Sequence, residues 1–322
     1  MEKTKKMHGM RVKREKSVPT LILQIVLLTI LVLYALSLVV VLGLVLLNSV
    51  KLGDVYSYAY MKLPFGKDEY GESIFRLKNY AEIFQTMRFD HPTHFNAKTG
   101  AFRLILNSVL YAVGCTLLQT GACCLMSYVV ARYKNFVSKI IYTLVLVIMV
   151  IPIVGAMASE VKMLNMLGAY DTIFGAWLLS FNFLGMHFLI LHAGFDAIPK
   201  DYSEAAQIDG AGHWRIFLQI MLPLAKNALL TIVLLKFIAY WNDYQTPMIY
   251  IPSLPTLSYW LYLVGTNSNS ITIKDPVTSV PLPVERVHQY AGAMILFLPM
   301  FTMFLCLHKQ LMGNVSMGGI KG

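Results

Sequence analysis

Charged residues are scarce in this chain of 322 residues, of which 14% are charged and 57% are hydrophobic. Soluble domains carry about 25% charged residues, so the composition excludes an ordinary soluble protein. With a mean hydropathy of +0.59, the chain is predicted to be a polytopic membrane protein. Its net charge of +10 includes seven basic residues within the first 16 positions. This placement indicates a cytoplasmic anchor and gives no sign of nucleic-acid binding.

Several signatures of catalysis and of metal binding are absent. The chain has no Gly-x-x-x-x-Gly-Lys-Ser/Thr phosphate loop, so we predict that it does not hydrolyse ATP itself. It has no His-Glu-x-x-His and no Gly-x-Ser-x-Gly motif. His187 and His192 are five residues apart, which is a poor spacing for a metal pair on a helix. The four cysteines lie in apolar stretches. No catalytic residue, metal site or cofactor is therefore predicted within this chain.

Long apolar stretches dominate what is present, and a spanning helix needs about 20 apolar residues. We predict an all-α polytopic protein with six transmembrane helices, at about 19–47, 104–131, 140–158, 172–196, 226–250 and 288–308. These helices lie within a transmembrane domain over 19–311. The basic tail 1–18 places the N-terminus in the cytoplasm, and six spans place the tail 312–322 there as well. Residues 51–103 and 251–287 are then extracytoplasmic loops.

Between the fourth and fifth predicted helices lies a polar stretch, residues 198–223, which we expect outside the lipid on the cytoplasmic side. Pro199 suits the first turn of a helix. Ser203 is a candidate cap for that helix. The carboxylate of Glu204 lies where a negative charge interacts favourably with a helix N-terminus. The stretch therefore predicts a helix that begins near residue 199.

The remainder of residues 198–223 predicts a helix-turn-helix. Ala205 and Ala206 favour helix and have little bulk, so that another protein can approach closely. Asp209-Gly210 predicts a turn in which glycine supplies a positive φ. A second short helix is predicted over His213 to Met221, before Pro223 begins the next segment.

This stretch resembles the docking loop of permeases of binding-protein-dependent ABC importers. The matching positions are Glu204-Ala205-Ala206, Ile208-Asp209-Gly210-Ala211, Trp214, Ile216-Phe217 and Leu222-Pro223. The resemblance implies a type I ABC importer permease fold. It also implies that a separate ATPase docks on Glu204, Ala205, Ala206, Asp209 and Gly210.

Two further matches resemble the maltose and multiple-sugar class of these permeases: Trp241-Asn242-Asp243-Tyr244 and the end Gly318-Gly319-Ile320-Lys321-Gly322. The resemblance implies a multi-pass protein of the bacterial inner membrane, in contact with lipid. It implies a second homologous permease subunit, an ABC ATPase dimer that binds ATP and Mg²⁺, and an extracytoplasmic solute-binding protein. The implied function is import of a sugar or oligosaccharide, driven by ATP hydrolysis on the partner. No nucleic-acid partner is expected.

The candidate translocation path lies on the fifth helix and comprises Lys236, Tyr240, Trp241, Asn242 and Asp243. Lys236 lies roughly 15 Å along the helix from its start, and an intramembrane ion is by default a functional hypothesis. It either contacts the solute, favouring an acidic or heavily hydroxylated glycan, or it snorkels or pairs with a neighbouring helix. The two aromatic residues either stack on sugar rings or form an interfacial belt. Asn242 and Asp243 offer hydrogen bonds.

A function of another class is the alternative: a polytopic membrane enzyme, such as an intramembrane hydrolase or transferase. It needs paired catalytic residues within helices. The candidates are Lys236, Asp243 and the two histidines, and no motif connects them.

Overall fold

A computed structural model of the protein describes residues 18–71, 73–87, 89–90, 98–151, 155–266, 272–274 and 281–315. The helices of this part of the chain are α1 Val18–Ser49, α2 Gly53–Tyr58, α3 Lys78–Thr86, α4 Ala101–Arg132, α5 Phe136–Val150, α6 Ala156–Met166, α7 Ile173–Ser180, α8 Met186–Asp196, α9 Asp201–Ile208, α10 His213–Ile216, α11 Leu222–Leu224, α12 Lys226–Asn242, α13 Gln245–Tyr250, α14 Leu257–Thr266 and α15 Arg286–Val315. Two antiparallel pairs accompany them, β1 Phe89–Asp90 with β2 Lys98–Thr99 and β3 Thr272–Lys274 with β4 Pro281–Pro283. The prediction of a mostly helical chain is confirmed. Nearly all of the predicted basic tail and the last seven residues of the chain lie outside the described residues.

Three of the described helices, α1, α4 and α15, are long and apolar enough to cross a membrane. A fourth candidate is a pair of helical segments, His213–Leu224 and Lys226–Asn242, which meet at an angle of 77°. α1 packs mainly against α15, and its leucine, isoleucine and valine side chains are largely exposed. An apolar helix with so much exposed hydrocarbon suits contact with lipid.

The third and fourth predicted spans are not continuous helices, which corrects the prediction. The helix expected over 140–158 is divided, because α5 ends at Val150 and α6 begins at Ala156. Pro152 follows shortly in the sequence, and proline both lacks an N–H group and disfavours helix at the residue before it. The helix expected over 172–196 is divided between α7 and α8. Gly185, at the start of α8, has φ +114°, which glycine adopts readily. The count of six spans and the side of each terminus stay predictions.

The fifth predicted span, 226–250, is also interrupted. α12 ends at Asn242, and Asp243 has extended backbone angles (φ −70°, ψ 117°). The Asp243 Oδ1 atom accepts hydrogen bonds from the backbone N–H groups of Gln245 (3.0 Å) and Thr246 (3.1 Å). Asp243 therefore ends one helix and organises the first turn of the next, which is a common use of aspartate at a helix start.

The centre of the fold is α4, which packs against α7, α8 and α12. Gly114 on this helix allows the close approach of α7. A Cβ atom added to Gly114 would lie 2.1 Å from Nε1 of Trp177, and that indole N–H donates to the Leu110 carbonyl (3.1 Å). Small residues at helix contacts of this kind let the backbones come close in membrane proteins.

The segment before α4 is fastened to the start of α15 through Glu82 of α3. This buried carboxylate contacts Arg76 (2.8 Å), Lys78 (3.3 Å) and Nε2 of His288 (3.1 Å). Burial raises the pKa of Glu82, but the hydrogen bond with His288, the charge of Arg76 and the hydrogen bond with Lys78 outweigh it, so that the pKa lies below its ordinary value. The contact joins residues 206 positions apart and ties the predicted extracytoplasmic loop to the last long helix.

Candidate functional site

The first candidate site is the docking segment, residues 198–223, which folds as a helix-turn-helix. α9 precedes the turn and α10 follows it, and the chain continues as one π-helical turn over Phe217–Met221. The predicted turn is confirmed, since Gly210 has φ +78°. The predicted cap is wrong: Ser203 lies within the first turn of α9, and its hydroxyl donates to the carbonyl of Lys200 (2.7 Å).

The inner face of the docking segment is fastened to the ends of α4 and α8. Ile216, Phe217 and Met221 are buried against Tyr128 of α4 and Phe195 of α8. This contact is a continuous apolar cluster of the kind that forms one core with its neighbours. The docking segment is therefore an extension of the helix bundle.

Polar contacts support the same attachment. Nη2 of Arg132, the last residue of α4, donates to the carbonyl of Ile198 (2.9 Å). The Tyr133 hydroxyl and Nδ1 of His213 share a hydrogen bond of 3.0 Å. Lys134 pairs with Asp196 at the end of α8 (3.0 Å). The docking segment is therefore attached to the end of α4, which Lys134 joins to the end of α8.

The outer face presents four of the five residues predicted to dock a partner: Glu204, Ala205, Asp209 and Gly210 are exposed. The fifth, Ala206, is buried in the apolar cluster, so the structure gives it a packing role.

The large apolar side chains of this outer face were counted among the matching positions in the sequence, and no contact role was predicted for them. Ile208 is 87% exposed and Trp214 is 69% exposed. Exposed apolar residues beside charged ones are typical of a protein contact surface. The signal in the sequence was a large apolar residue directly before a charged one, at Ile208-Asp209 and at Trp214-Arg215.

The second candidate site lies along one face of α12, where Lys236, Tyr240 and Asp243 follow each other at helical spacing. The Tyr240 hydroxyl donates to Oε1 of Gln119 on α4 (2.8 Å). The Tyr111 hydroxyl, also on α4, donates to Oδ2 of Asp243 (2.8 Å). The two tyrosine rings meet edge to face, with centroids 5.8 Å apart. The structure thus brings these residues together between α4 and α12.

The same polar row extends to the interrupted fourth span. Gln119 donates from Nε2 to Oδ1 of Asn182 (3.1 Å), and Asn182 lies in the non-helical segment between α7 and α8. Non-helical backbone at membrane depth is tolerated where protein buries it or where it lines a cavity. The break is therefore connected to the polar face of α12 through Gln119 of α4.

Lys236 lies one helical turn from Tyr240, within electrostatic range of Cys123 and His187. Its ammonium group forms no hydrogen bond or ion pair with any residue of the described ranges.

Trp241 and Asn242, the other two predicted path residues, lie on a different face of α12. Trp241 is buried, and its Nε1–H donates to the carbonyl of Leu296 on α15 (2.8 Å). The Asn242 amide donates to Sδ of Met300, also on α15 (2.9 Å). These contacts fasten α12 to α15, so the five residues do not form one site.

A cavity of about 290 Å³ opens beside the polar face of α12. We call it the α6–α13 cavity, and its lining residues are Tyr111, Met157, Glu160, Ala176, Leu179, Ser180, Tyr240, Gln245, Thr246, Ile249 and Tyr250. The Tyr250 hydroxyl donates to Oε2 of Glu160 across it. The lining combines aromatic rings, hydroxyl groups and a carboxylate, which is a surface suited to a polar organic ligand.

Of the cavity's functional groups, sequence reasoning identified Tyr240 and the adjacent Asp243. It missed Tyr111, Glu160 and Tyr250, which come from α4, α6 and α13. Glu160 falls between the predicted helices 140–158 and 172–196. No local pattern marks these three residues, since they become neighbours only when four elements pack together.

Comparison with protein families gives one match over most of the helical bundle. The model of the family described as "binding-protein-dependent transport system inner membrane component" matches residues 124–309. The maltodextrin transport system permease protein of Bacillus subtilis is 28% identical over 258 residues, which cover 78% of this chain and 88% of that protein. The melibiose/raffinose/stachyose import permease protein of the same organism is 29% identical over 203 residues, covering 62% and 68%.

A solved structure has a similar fold. It belongs to a bacterial ABC transporter involved in the import of the acidic polysaccharide alginate. The TM-score is 0.64 at 19% identity, and the alignment covers 91% of this chain and 98% of that one. At this identity the likeness concerns the arrangement of helices.

Proposed function

The chain belongs to the family of inner membrane components of binding-protein-dependent transport systems, and from this membership we propose that it is the permease subunit of an ATP-driven importer of a sugar or oligosaccharide. The family match over residues 124–309 carries the proposal. The relatives named above transport maltodextrin or melibiose, raffinose and stachyose, which supports a carbohydrate as the solute. A membrane enzyme, the alternative, has no support in this family of transport proteins.

The family's dependence on a binding protein and the lack of a phosphate loop support a multi-subunit assembly. We propose a second homologous permease, an ATPase dimer that binds ATP and Mg²⁺, and an extracytoplasmic solute-binding protein. The proposed location is the bacterial inner membrane. In this assembly the present chain contributes mechanical coupling and part of the path, and its partner carries out the hydrolysis.

The docking segment is the proposed point of coupling. Its outer face carries Glu204, Ala205, Asp209 and Gly210 together with the exposed Ile208. Its inner face packs on α4 and α8. When the ATPases close on ATP, they draw the docking segments together, and the rigid attachment passes this movement to the bundle. Alternating access then exposes the path to each side in turn.

The test is a charge reversal on the outer face, Glu204→Lys. Because Glu204 is exposed, we expect the variant to insert normally in the membrane and to lose ATPase recovery and saccharide uptake by at least tenfold. The matched control is Glu69→Lys, which makes the same change at an exposed site of the predicted extracytoplasmic loop. Normal ATPase recovery and uptake in the Glu204 variant would contradict the proposal, as would labelling of residue 204 from outside the cell.

For the path, we propose the face of α12 that carries Lys236, Tyr240 and Asp243. The polar contacts between this face and α4 support the assignment, since buried polar groups in a membrane bundle concentrate along solute pathways. Trp241 and Asn242 are assigned instead to the contact between α12 and α15.

A further inference from the structure

The α6–α13 cavity has a composition that bears on the solute. Three tyrosines, Tyr111, Tyr240 and Tyr250, line it. Tyr111 and Tyr250 are buried and Tyr240 is half-buried, so Tyr240 supplies the accessible aromatic surface. Sugars present apolar C–H faces and polar hydroxyl edges, so a surface of this kind matches both parts of a sugar ring. The volume of about 290 Å³ lies near the lower end of ligand pockets, roughly 300 Å³, which suits one or two sugar units.

The charges at this cavity are negative. Glu160 lines it, and Asp243 lies directly behind Tyr111. Neither lysine nor arginine is among its lining residues. Lys236 lies one turn away from Tyr240, and Lys162 is two residues from Glu160, which places it on the opposite side of α6.

The two carboxylates differ in what they can still bind. Asp243 is occupied, because its Oδ1 atom accepts from two backbone N–H groups and its Oδ2 atom accepts from Tyr111. Glu160 accepts one hydrogen bond, from Tyr250 on Oε2. Its Oε1 atom has no hydrogen-bond partner among the described residues. A carboxylate accepts up to about four hydrogen bonds, so Glu160 retains acceptor capacity toward the cavity.

We propose that the α6–α13 cavity is a saccharide subsite of this subunit that selects a neutral sugar unit over a uronic acid. The inference rests on the proposed transport function and adds the class of solute. Glu160 accepts hydrogen bonds from sugar hydroxyls, and the half-buried Tyr240 ring packs on a C–H face. A uronate brings a further negative charge beside Glu160, and like charges in a partly buried site repel strongly. The subsite thus prefers a neutral sugar unit, whereas contact with Lys236 would favour an acidic or heavily hydroxylated glycan.

The experiment measures occupancy of the cavity directly, in the complex of both permeases and the ATPases without the binding protein, which would impose its own selectivity. Met157 lines the cavity and is 43% exposed, so Met157→Cys provides a thiol for alkylation. Cys306, the exposed native cysteine of the described chain, is replaced by serine, and Cys115, Cys123 and Cys124 are buried. The probes are maltotetraose and raffinose as neutral saccharides and tetragalacturonate as the acidic one.

We expect at least one neutral saccharide to slow alkylation of the thiol in the Met157→Cys variant severalfold and tetragalacturonate to leave the rate unchanged. Glu160→Gln should weaken this protection about tenfold, because the amide oxygen of glutamine is a neutral and weaker acceptor than the carboxylate. Glu160→Lys should invert the preference toward tetragalacturonate. Two controls apply: Glu69→Gln, the same change at an exposed site elsewhere, and Met166→Cys, an exposed thiol outside the cavity lining.

The proposal is overturned if tetragalacturonate protects as well as the neutral probes, if no probe protects, or if Glu160→Gln leaves protection unchanged. Failure of the subsite is distinguishable from failure of the transport function. If a reconstituted complex imports a saccharide that does not slow alkylation at residue 157, the subsite proposal alone is wrong. If the purified chain recruits no ATPase and imports no saccharide, the proposed transport function is wrong as well.

Discussion

The docking segment and the α6–α13 cavity are built in opposite ways. The docking segment is one continuous stretch whose functional groups point outward and whose inner face packs on α4 and α8. The cavity collects its groups from α4, α6, α7, α12 and α13. A substitution on the outer face of the docking segment therefore changes what the protein binds without changing its core. A substitution around the cavity changes packing and ligand contacts together.

The interrupted helices belong to the second region. Ser180, the last residue of α7, lines the cavity, and Asp243 lies at the break between α12 and α13. Backbone groups freed at such breaks need partners inside a membrane. At Asp243 the carboxylate supplies two of these partners. The breaks thus place polar groups where a continuous helix would present none.

The largest effect in this comparison is expected from Trp214→Glu on the docking segment. A buried charge replaces an aromatic side chain that we assign to the interface, and interface hot spots of this kind contribute about 2 kcal/mol or more. Affinity for the ATPase should fall by roughly 30-fold, while the thermal stability of the isolated permease stays the same. Co-purification at graded ATPase concentrations measures the first quantity and fluorescence-monitored melting the second.

Tyr70→Glu is the matched control for that variant, since Tyr70 is 86% exposed in the predicted extracytoplasmic loop. It should leave ATPase affinity unchanged. If Trp214→Glu lowers the melting temperature and leaves affinity intact, the outer face is part of the fold and the contrast between the two regions is lost.

An intermediate effect is expected from Gly114→Ala on the central helix. The new Cβ would lie 2.1 Å from Trp177 Nε1, so α7 must move, at a cost of about 1–3 kcal/mol. Because α7 carries cavity-lining residues, the variant should have a lower melting temperature, and a saccharide should protect residue 157 less from alkylation. Affinity for the ATPase should not change.

The control for the glycine variant is Gly121→Ala on the same helix, where no atom lies within 4 Å of the added Cβ. It should be neutral or slightly stabilising, since alanine favours helix. Equal melting temperatures for the two variants would show that the approach of α7 to α4 does not depend on Gly114.

The smallest effect is expected from Tyr240→Phe. It removes the hydrogen bond to Gln119 (2.8 Å) and should cost about 1 kcal/mol in stability. The ring remains, so protection by a neutral saccharide should weaken by only a fewfold. Thermal melting and the alkylation assay measure the two effects. If Tyr240→Phe weakens saccharide protection as much as Glu160→Gln does, the main contact with the ligand is made by Tyr240 and not by Glu160.

The docking segment was largely predictable, because its helices and its turn depend on neighbours in the sequence. The turn at Gly210 requires a positive φ, which glycine supplies. The burial of Ala206 was not predictable, since it depends on the distant Tyr128 and Phe195. The cavity was predicted only where α12 contributes to it. Trp241 was predicted for the path together with Tyr240 from the resemblance of Trp241-Asn242-Asp243 to sugar permeases, but neighbouring helical residues lie about 100° apart around the axis, so the two rings face different neighbours.

By itself the sequence determined the membrane class, the mostly helical fold and the helix-turn-helix of the docking segment. Apolar length, charge placement and local backbone preference depend on residues that are near each other along the chain, so they can be predicted from the order of the residues. Only the tertiary structure decided where three predicted spans break, which face of α12 is polar and that Glu160 meets Tyr250. Glu160 and Tyr250 are 90 positions apart, and Tyr111 and Asp243 are 132 apart. The free energy of such contacts is a property of the assembled helices.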